Sequence, residues 1–267
     1  MTLWWLTYPL LGIFAGFIAG LFGVGGGLTI VPLSFMLFAA QGFPAEHTMH
    51  LALGTSMATI VFTSIASMRA HHRHGAVRWD VVRSFAPGLL LGTFGGSFVA
   101  AWVPTRPLAM VFTAIVYYAA AQMMADFKPK PHRVLPGTFG MVAVGTLIGI
   151  VSSLVAAGGG FLTIPFMVFC NVVIHQAVGT SAALGFPIAV AGTIGYIASG
   201  LQAPGLPDYA LGYVYLPAFL GVVAMSFLMA PIGARLAHKL PVKQLKRAFG
   251  GFLALLATKM LHGLLTG

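Results

Sequence analysis

Apolar residues run through this chain in long blocks, interrupted by short clusters of glycine, proline and charge. The blocks fall at about 3–22, 28–40, 47–69, 82–103 and 106–125, then at 137–156, 161–174, 176–199, 211–235 and 244–265. Most approach the ~20 residues with which an α-helix crosses a bilayer. Their spacing is helical, without period-2 alternation, which argues against an outer-membrane barrel. The second block of each five is short: about 13 residues at 1.5 Å rise cover ~20 Å of a ~30 Å hydrocarbon core. The pattern predicts an all-α polytopic membrane protein of about ten helical segments. They form two five-segment repeats, with the second segment of each short or re-entrant.

Composition agrees. The chain is 58% hydrophobic and 7% charged, with mean hydropathy +0.94, whereas soluble domains carry about 25% charged residues. A net charge of +10, from 14 Lys and Arg against 4 acids, would suit nucleic acid in a soluble protein. Here the cations cluster at 69–83, in a central linker and at 235–247, between apolar blocks. Alternating ten segments brings all three loops to one side. The other side receives 41–46, the turn at Arg106 and 200–210, which holds Asp208 and no Lys or Arg. Basic loops face the cytoplasm and its anionic lipids, so nucleic acid is not an expected partner. Both termini are predicted outside a bacterial inner (plasma) membrane. No Lys or Arg precedes Arg69, so the basic start of a cleaved signal is missing, and 3–22 reads as the first helix. An odd number of segments per half inverts the second half. The predicted units are 1–125, a basic linker at 126–136, and 137–267.

One motif pair occurs in both halves. Gly25-Gly26-Gly27 with Pro32 precedes His50-Leu51-Ala52-Leu53-Gly54-Thr55-Ser56, and Gly158-Gly159-Gly160 with Pro165 precedes His175-Gln176-Ala177-Val178-Gly179-Thr180-Ser181. Glycines permit positive φ. The helix after each turn offers unpaired N–H groups and a positive dipole end, which together suit an anion. Glycines also allow close helix packing, as expected at Gly12, Gly16, Gly20, Gly88, Gly92 and Gly96; the doubled context favours a site. Pro32 and Pro165 free a carbonyl and can kink each short helix. His50 and Gly54 share a helix face, as do His175 and Gly179, and the Thr and Ser hydroxyls follow as neutral donors. A plain structural role for these hydroxyls, bonding the preceding turn, weighs equally. An ionisable group within the membrane is costly without a role, which favours function for the two histidines.

Other groups narrow the chemistry. Glu46, Asp80, Asp126 and Asp208 all fall in loops or at segment ends, so a carboxylate proton relay and a cation pore are disfavoured. His71, His72 and His74 lie among arginines without carboxylate or thiolate help, so no metal is expected there. No cofactor is expected. Cys170 is the sole cysteine, which excludes an intrachain disulfide. Lys259 and His262 are placed to snorkel to the outer interface.

The run from Leu21 to Pro32, the stretch from His50 to Ser56 and the basic loop from His71 to Trp79 resemble the TauE/SafE sulfite exporter family. The second copy, from Gly158 to Ser181, is similar to that family's repeat, with Ala156-Ala157 in place of Gly23-Val24 and a shorter connection to its histidine. The resemblance implies a multi-pass permease for sulfite, sulfonates or other small organic anions. The expected function is a secondary transporter, with the anion held between the two glycine turns and the His/Thr/Ser helices. An anion channel is the alternative, and a membrane-embedded enzyme would need an orienting acid that the interior lacks. The coupling ion stays open between a proton, for which His50 and His175 are candidates, and sodium. The oligomeric state is likewise open.

Overall fold

A computed structural model describes residues 2–22, 26–125, 134–237 and 242–266. Among these residues it is an all-α polytopic membrane fold of ten helices: α1 (Thr2–Phe22), α2 (Gly27–Ala40), α3 (Thr48–Arg73), α4 (Trp79–Trp102), α5 (Thr105–Met124), α6 (Thr138–Val155), α7 (Gly160–Phe169), α8 (Ile174–Gly200), α9 (Leu216–Ala237) and α10 (Val242–Thr266). Thr48–Arg73, Trp79–Trp102, Thr105–Met124, Thr138–Val155, Ile174–Gly200 and Arg247–Thr266 are long and apolar enough to cross a membrane. α1 and α9 are apolar over Trp5–Ala19 and Leu216–Ala230. Side chains such as Leu91, Leu147, Leu220, Phe227 and Leu255 are exposed on the outside of the bundle. In a protein so poor in charge, that apolar belt faces lipid.

α2 has 14 residues and α7 has 10. At 1.5 Å per residue each is too short to cross a ~30 Å core, as their sequence predicts. Two boundaries differ from expectation. α7 stops at Phe169 and not near 174, because Asn171 turns left-handed at φ 62. The block starting at 211 opens with a hairpin, β1 (Ala210–Leu211) against β2 (Val214–Tyr215), before α9 begins at Leu216. The central stretch 126–133 lies outside the described residues.

Helix pairing follows the glycines. A Cβ added at Gly12 or Gly16 of α1 would strike the backbone of Val222 or Ser226 of α9. One at Gly88 or Gly92 of α4 would strike Val142 or Thr146 of α6, and at Gly96 it would meet Ser153 and Ile150. Bare glycine lets these helices approach backbone to backbone. Both pairs run parallel, and both join one half of the chain to the other. α3 and α8 pack antiparallel, with Gly192 against Met57 and Gly185 against Ser64. α5 and α10 are also antiparallel: Arg106 of α5 donates to the terminal Leu264 carbonyl of α10 at 2.7 Å, while Gly250 meets the Ala120 carbonyl.

Candidate functional site

The two short helices begin in the same way. Gly26 caps α2 with φ 74 and ψ −15, and Gly159 caps α7 with φ 77 and ψ −15. Such left-handed values suit glycine alone at little cost. Each cap carbonyl accepts the first two intrahelical bonds: Gly26 from Thr29 (3.0 Å) and Ile30 (2.8 Å), Gly159 from Leu162 (3.0 Å) and Thr163 (2.8 Å). The first amides of each helix, at Gly27–Leu28 and Gly160–Phe161, precede those bonds and carry the positive dipole end. Gly25 of the first turn lies outside the described residues.

The two turns come together in the protein interior. Gly27 abuts the Ala156 carbonyl at the end of α6, where no side chain could fit. Ile60 of α3 fills the space between them: its Cδ1 faces Gly27 and its Cγ2 is 3.6 Å from the Cβ position of Gly158. Ala156 itself is left-handed at φ 45 and fully buried. Gly158 also lies beside Gly185 of α8. Pro32 and Pro165 lie inside α2 and α7, each six residues beyond its cap, and Pro32 is buried.

The His-x-Ala-x-Gly-Thr-Ser copies have a matched but different placement. Thr55 accepts the Tyr215 N–H at 3.0 Å, and Gly54 leaves room for the Tyr213 carbonyl. Thr180 accepts the Arg78 N–H at 3.0 Å, and Gly179 leaves room for the Ala76 carbonyl. Each glycine-threonine step thus seats the start of a helix from the other half, α9 in one case and α4 in the other. These backbone crossings occupy the space that Gly54 and Gly179 leave open on the helix face they share with His50 and His175. Ser181 bonds Thr163 at 2.7 Å, whereas Ser56 is buried with no hydrogen-bond partner among the described residues.

The histidines are not brought together. α3 and α8 are antiparallel, so His50 and His175 lie at opposite ends of the pair. His50 is buried; its Nε2 donates to the Ala100 and Val103 carbonyls, each at 3.1 Å, closing the C-terminal end of α4. The Tyr213 ring stacks on it at 5.0 Å. Burial raises the Tyr213 phenol above its ordinary range, with Glu46 adding to the effect, so it stays neutral. His175 is exposed at the start of α8. Among the residues whose side chains are described, no Asp, Glu, Lys or Arg is buried, and no group of His, Cys, Asp and Glu has the arrangement of a metal site. Sequence reasoning missed the buried, unpartnered hydroxyls of Thr29 and Ser152, which have no motif to announce them.

The paired turns at the start of short apolar helices coincide with a family match. The model of the sulfite exporter TauE/SafE family matches residues 8–260. The chain belongs to this family. It is 40% identical over 252 residues to a "Probable membrane transporter protein" of Haemophilus influenzae, covering 94% of this chain and 96% of that one. A relative of the same description in Bacillus subtilis, YdhB, is 28% identical, with 91% and 93% covered. One from Methanocaldococcus jannaschii is 23% identical, with 96% of each covered. No solved structure matches. The protein is a multi-pass membrane transporter of the TauE/SafE type.

Proposed function

We propose that this transporter carries a small anion (sulfite, a sulfonate or a related sulfur-containing or organic anion) across the plasma membrane by alternating access. Two inverted repeats, 1–125 and 137–267, would rock about the junction between the glycine turns, with Pro32 and Pro165 as hinges and 126–136 as a cytoplasmic link. One observation carries this reading: two helix N-termini with matching left-handed glycine caps are buried beside each other in a region without carboxylates. Such ends favour anions through oriented amides and dipoles. The antiparallel pairing of α3 with α8 and of α5 with α10 supports the inverted arrangement. Gly25, Gly26, Gly27, Gly158, Gly159 and Gly160 shape the anion's surroundings, and Gly54, Thr55, Gly179 and Thr180 hold the partner half against them. Anionic lipid meets the basic loops.

The test is flux into proteoliposomes. Gly159→Leu forces a branched side chain onto φ 77, with its Cβ 2.6 Å from Ile188 Cδ1. It should insert in the membrane and lose transport. Normal flux in a well-folded Gly159→Leu protein would sink the paired-turn model. Uptake that saturates and shows counterflow distinguishes the carrier from an anion channel. Imposed proton and sodium gradients, applied singly, identify the coupling ion.

A further inference from the structure

The two Gly-Thr steps receive their backbone straps in the same register. The Tyr213 carbonyl lies over Gly54 and the Tyr215 N–H bonds Thr55; the Ala76 carbonyl lies over Gly179 and the Arg78 N–H bonds Thr180. Tyr213 therefore corresponds to Ala76, and Tyr215 to Arg78. Each strap belongs to one half of the chain and lies on the other half. Gly54 is near the start of α3, and the Ala76–Arg78 strap follows the end of that helix. The crossings thus sit at opposite ends of the antiparallel α3/α8 pair, with about 27 Å of helix from Thr55 to Arg73.

The register is shared but the anchoring is not. On the Tyr213–Tyr215 strap, the Tyr213 ring stacks on His50 at 5.0 Å, and Tyr215 meets Tyr8, Phe38 and Phe43 edge-on at 5.9, 5.7 and 4.9 Å. His47 also donates to the Pro204 carbonyl at 2.9 Å. All of these partners lie in the first half, so the contacts must break if the strap lifts. On the other strap, Ala76 has no ring to offer. Its N–H bonds the His71 carbonyl at 3.1 Å, the Gly75 N–H bonds that of His72 at 2.9 Å, and the Arg78 guanidinium pairs with Asp80. Those partners lie in the strap's own half and travel with it. Gly75, at φ 67 with open space at its Cβ position, supplies a pivot.

Both straps are seated at once, so the structure is closed at both ends. We propose that the straps are the two gates of the transport cycle: the Tyr213–Tyr215 strap is locked at rest, and the Ala76–Arg78 strap is the one that lifts. The inference rests on the alternating-access reading above; it adds which residues gate the cycle and which end opens first. In the orientation predicted from the basic loops, the locked end is outside and the lifting end faces the cytoplasm. Buried aromatic pairs favour the seated state of the locked strap, so its open population stays small until a ligand or a substitution offsets them. Alternation further requires that opening one end seats the other.

The test is residue-resolved amide hydrogen exchange of the full-length protein in lipid nanodiscs, read at the Tyr215 and Arg78 amides. Each amide is bonded only while its strap is seated, so its protection reports the closed-to-open ratio of that end. In the wild type Tyr215 should be more protected than Arg78 by about tenfold, since several ring contacts hold its strap. Tyr213→Ala should lower Tyr215 protection by about five- to tenfold, the scale of one aromatic contact, and raise that of Arg78. Tyr213→Phe keeps the ring and should restore wild-type values. Thr180→Val acts from the other end, freeing Arg78 and protecting Tyr215, and it decides the matter if Tyr213→Ala does not fold. A merely structural tyrosine moves Tyr215 alone. Arg78 unchanged or faster in Tyr213→Ala, or Tyr215 unchanged or faster in Thr180→Val, overturns the paired gates. Equal or greater protection of Arg78 in the wild type overturns the lock. The alternating-access reading is judged separately by sulfite counterflow in wild-type proteoliposomes. Counterflow with uncoupled amides overturns the gates alone, and absence of counterflow overturns both.

Discussion

Gly54 and Gly179 stand where backbone from the opposite half crosses α3 and α8, and a methyl group at either position meets a carbonyl oxygen that cannot move aside. Gly54→Ala is therefore expected to destabilise the protein by about 1–3 kcal/mol, as overpacking does. Thr55→Val should cost about 1–3 kcal/mol by orphaning the Tyr215 N–H. Both are read as lower Tm in detergent, with Thr63→Val, a half-buried hydroxyl bonded within α3, as reference. The Gly-Thr pairs were legible in the sequence as a repeated signal, but their partners were not. Nothing in a linear chain says that Tyr215 and Arg78 arrive at those hydroxyls. His50 carries the same lesson. Its burial was foreseeable from its apolar neighbours, while its bonds to Ala100 and Val103 depend on how α4 ends beside α3.

Among the elements, α2 and α7 were readable because their length and glycine starts are local properties. The hairpin before α9 was not: two strands of two residues give no periodicity, and it is held from outside by Tyr213 N–H to the Tyr196 carbonyl at 3.1 Å. Close packing of α4 on α6 rests on a glycine row that the sequence displayed at Gly88, Gly92 and Gly96. Gly92→Leu should push the two helices apart at Thr146 and cost several kcal/mol, since backbone and not a flexible side chain is in the way. The expected readout is loss of monodisperse protein on size-exclusion chromatography after extraction. Gly95 has open space at its Cβ position, so Gly95→Leu is expected to leave the elution profile unchanged.

For the whole molecule, interlocking matters more than either half alone. α1 lies on α9, α4 on α6, α3 on α8 and α5 on α10, so every long helix has its main partner across the sequence midpoint. The Cβ position of Gly185 is 3.6 Å from the Cβ of Ser64, inside the range for a disulfide. Ser64→Cys with Gly185→Cys, in a Cys170→Ala background, is expected to cross-link on oxidation. The cross-link joins α3 to α8, so a cut at a single specific protease site inserted in the central linker leaves one band on non-reducing gels and two after reduction. Transport should stop when the link forms and return when it is reduced, if the halves must move against each other.

Hydropathy by itself determined the membrane class, the ten helical segments and the short second member of each five, because burial in lipid demands long apolar helices and punishes charge. The duplicated motif marked which turns are special. Which hydroxyls are taken and which are free was decided only by the tertiary structure. Thr55, Thr180 and Ser181 share a motif with Ser56, yet among the described residues the first three find partners and the last does not. Satisfaction of a buried polar group depends on what packs against it from distant parts of the chain, and that is a property of the fold and not of the motif.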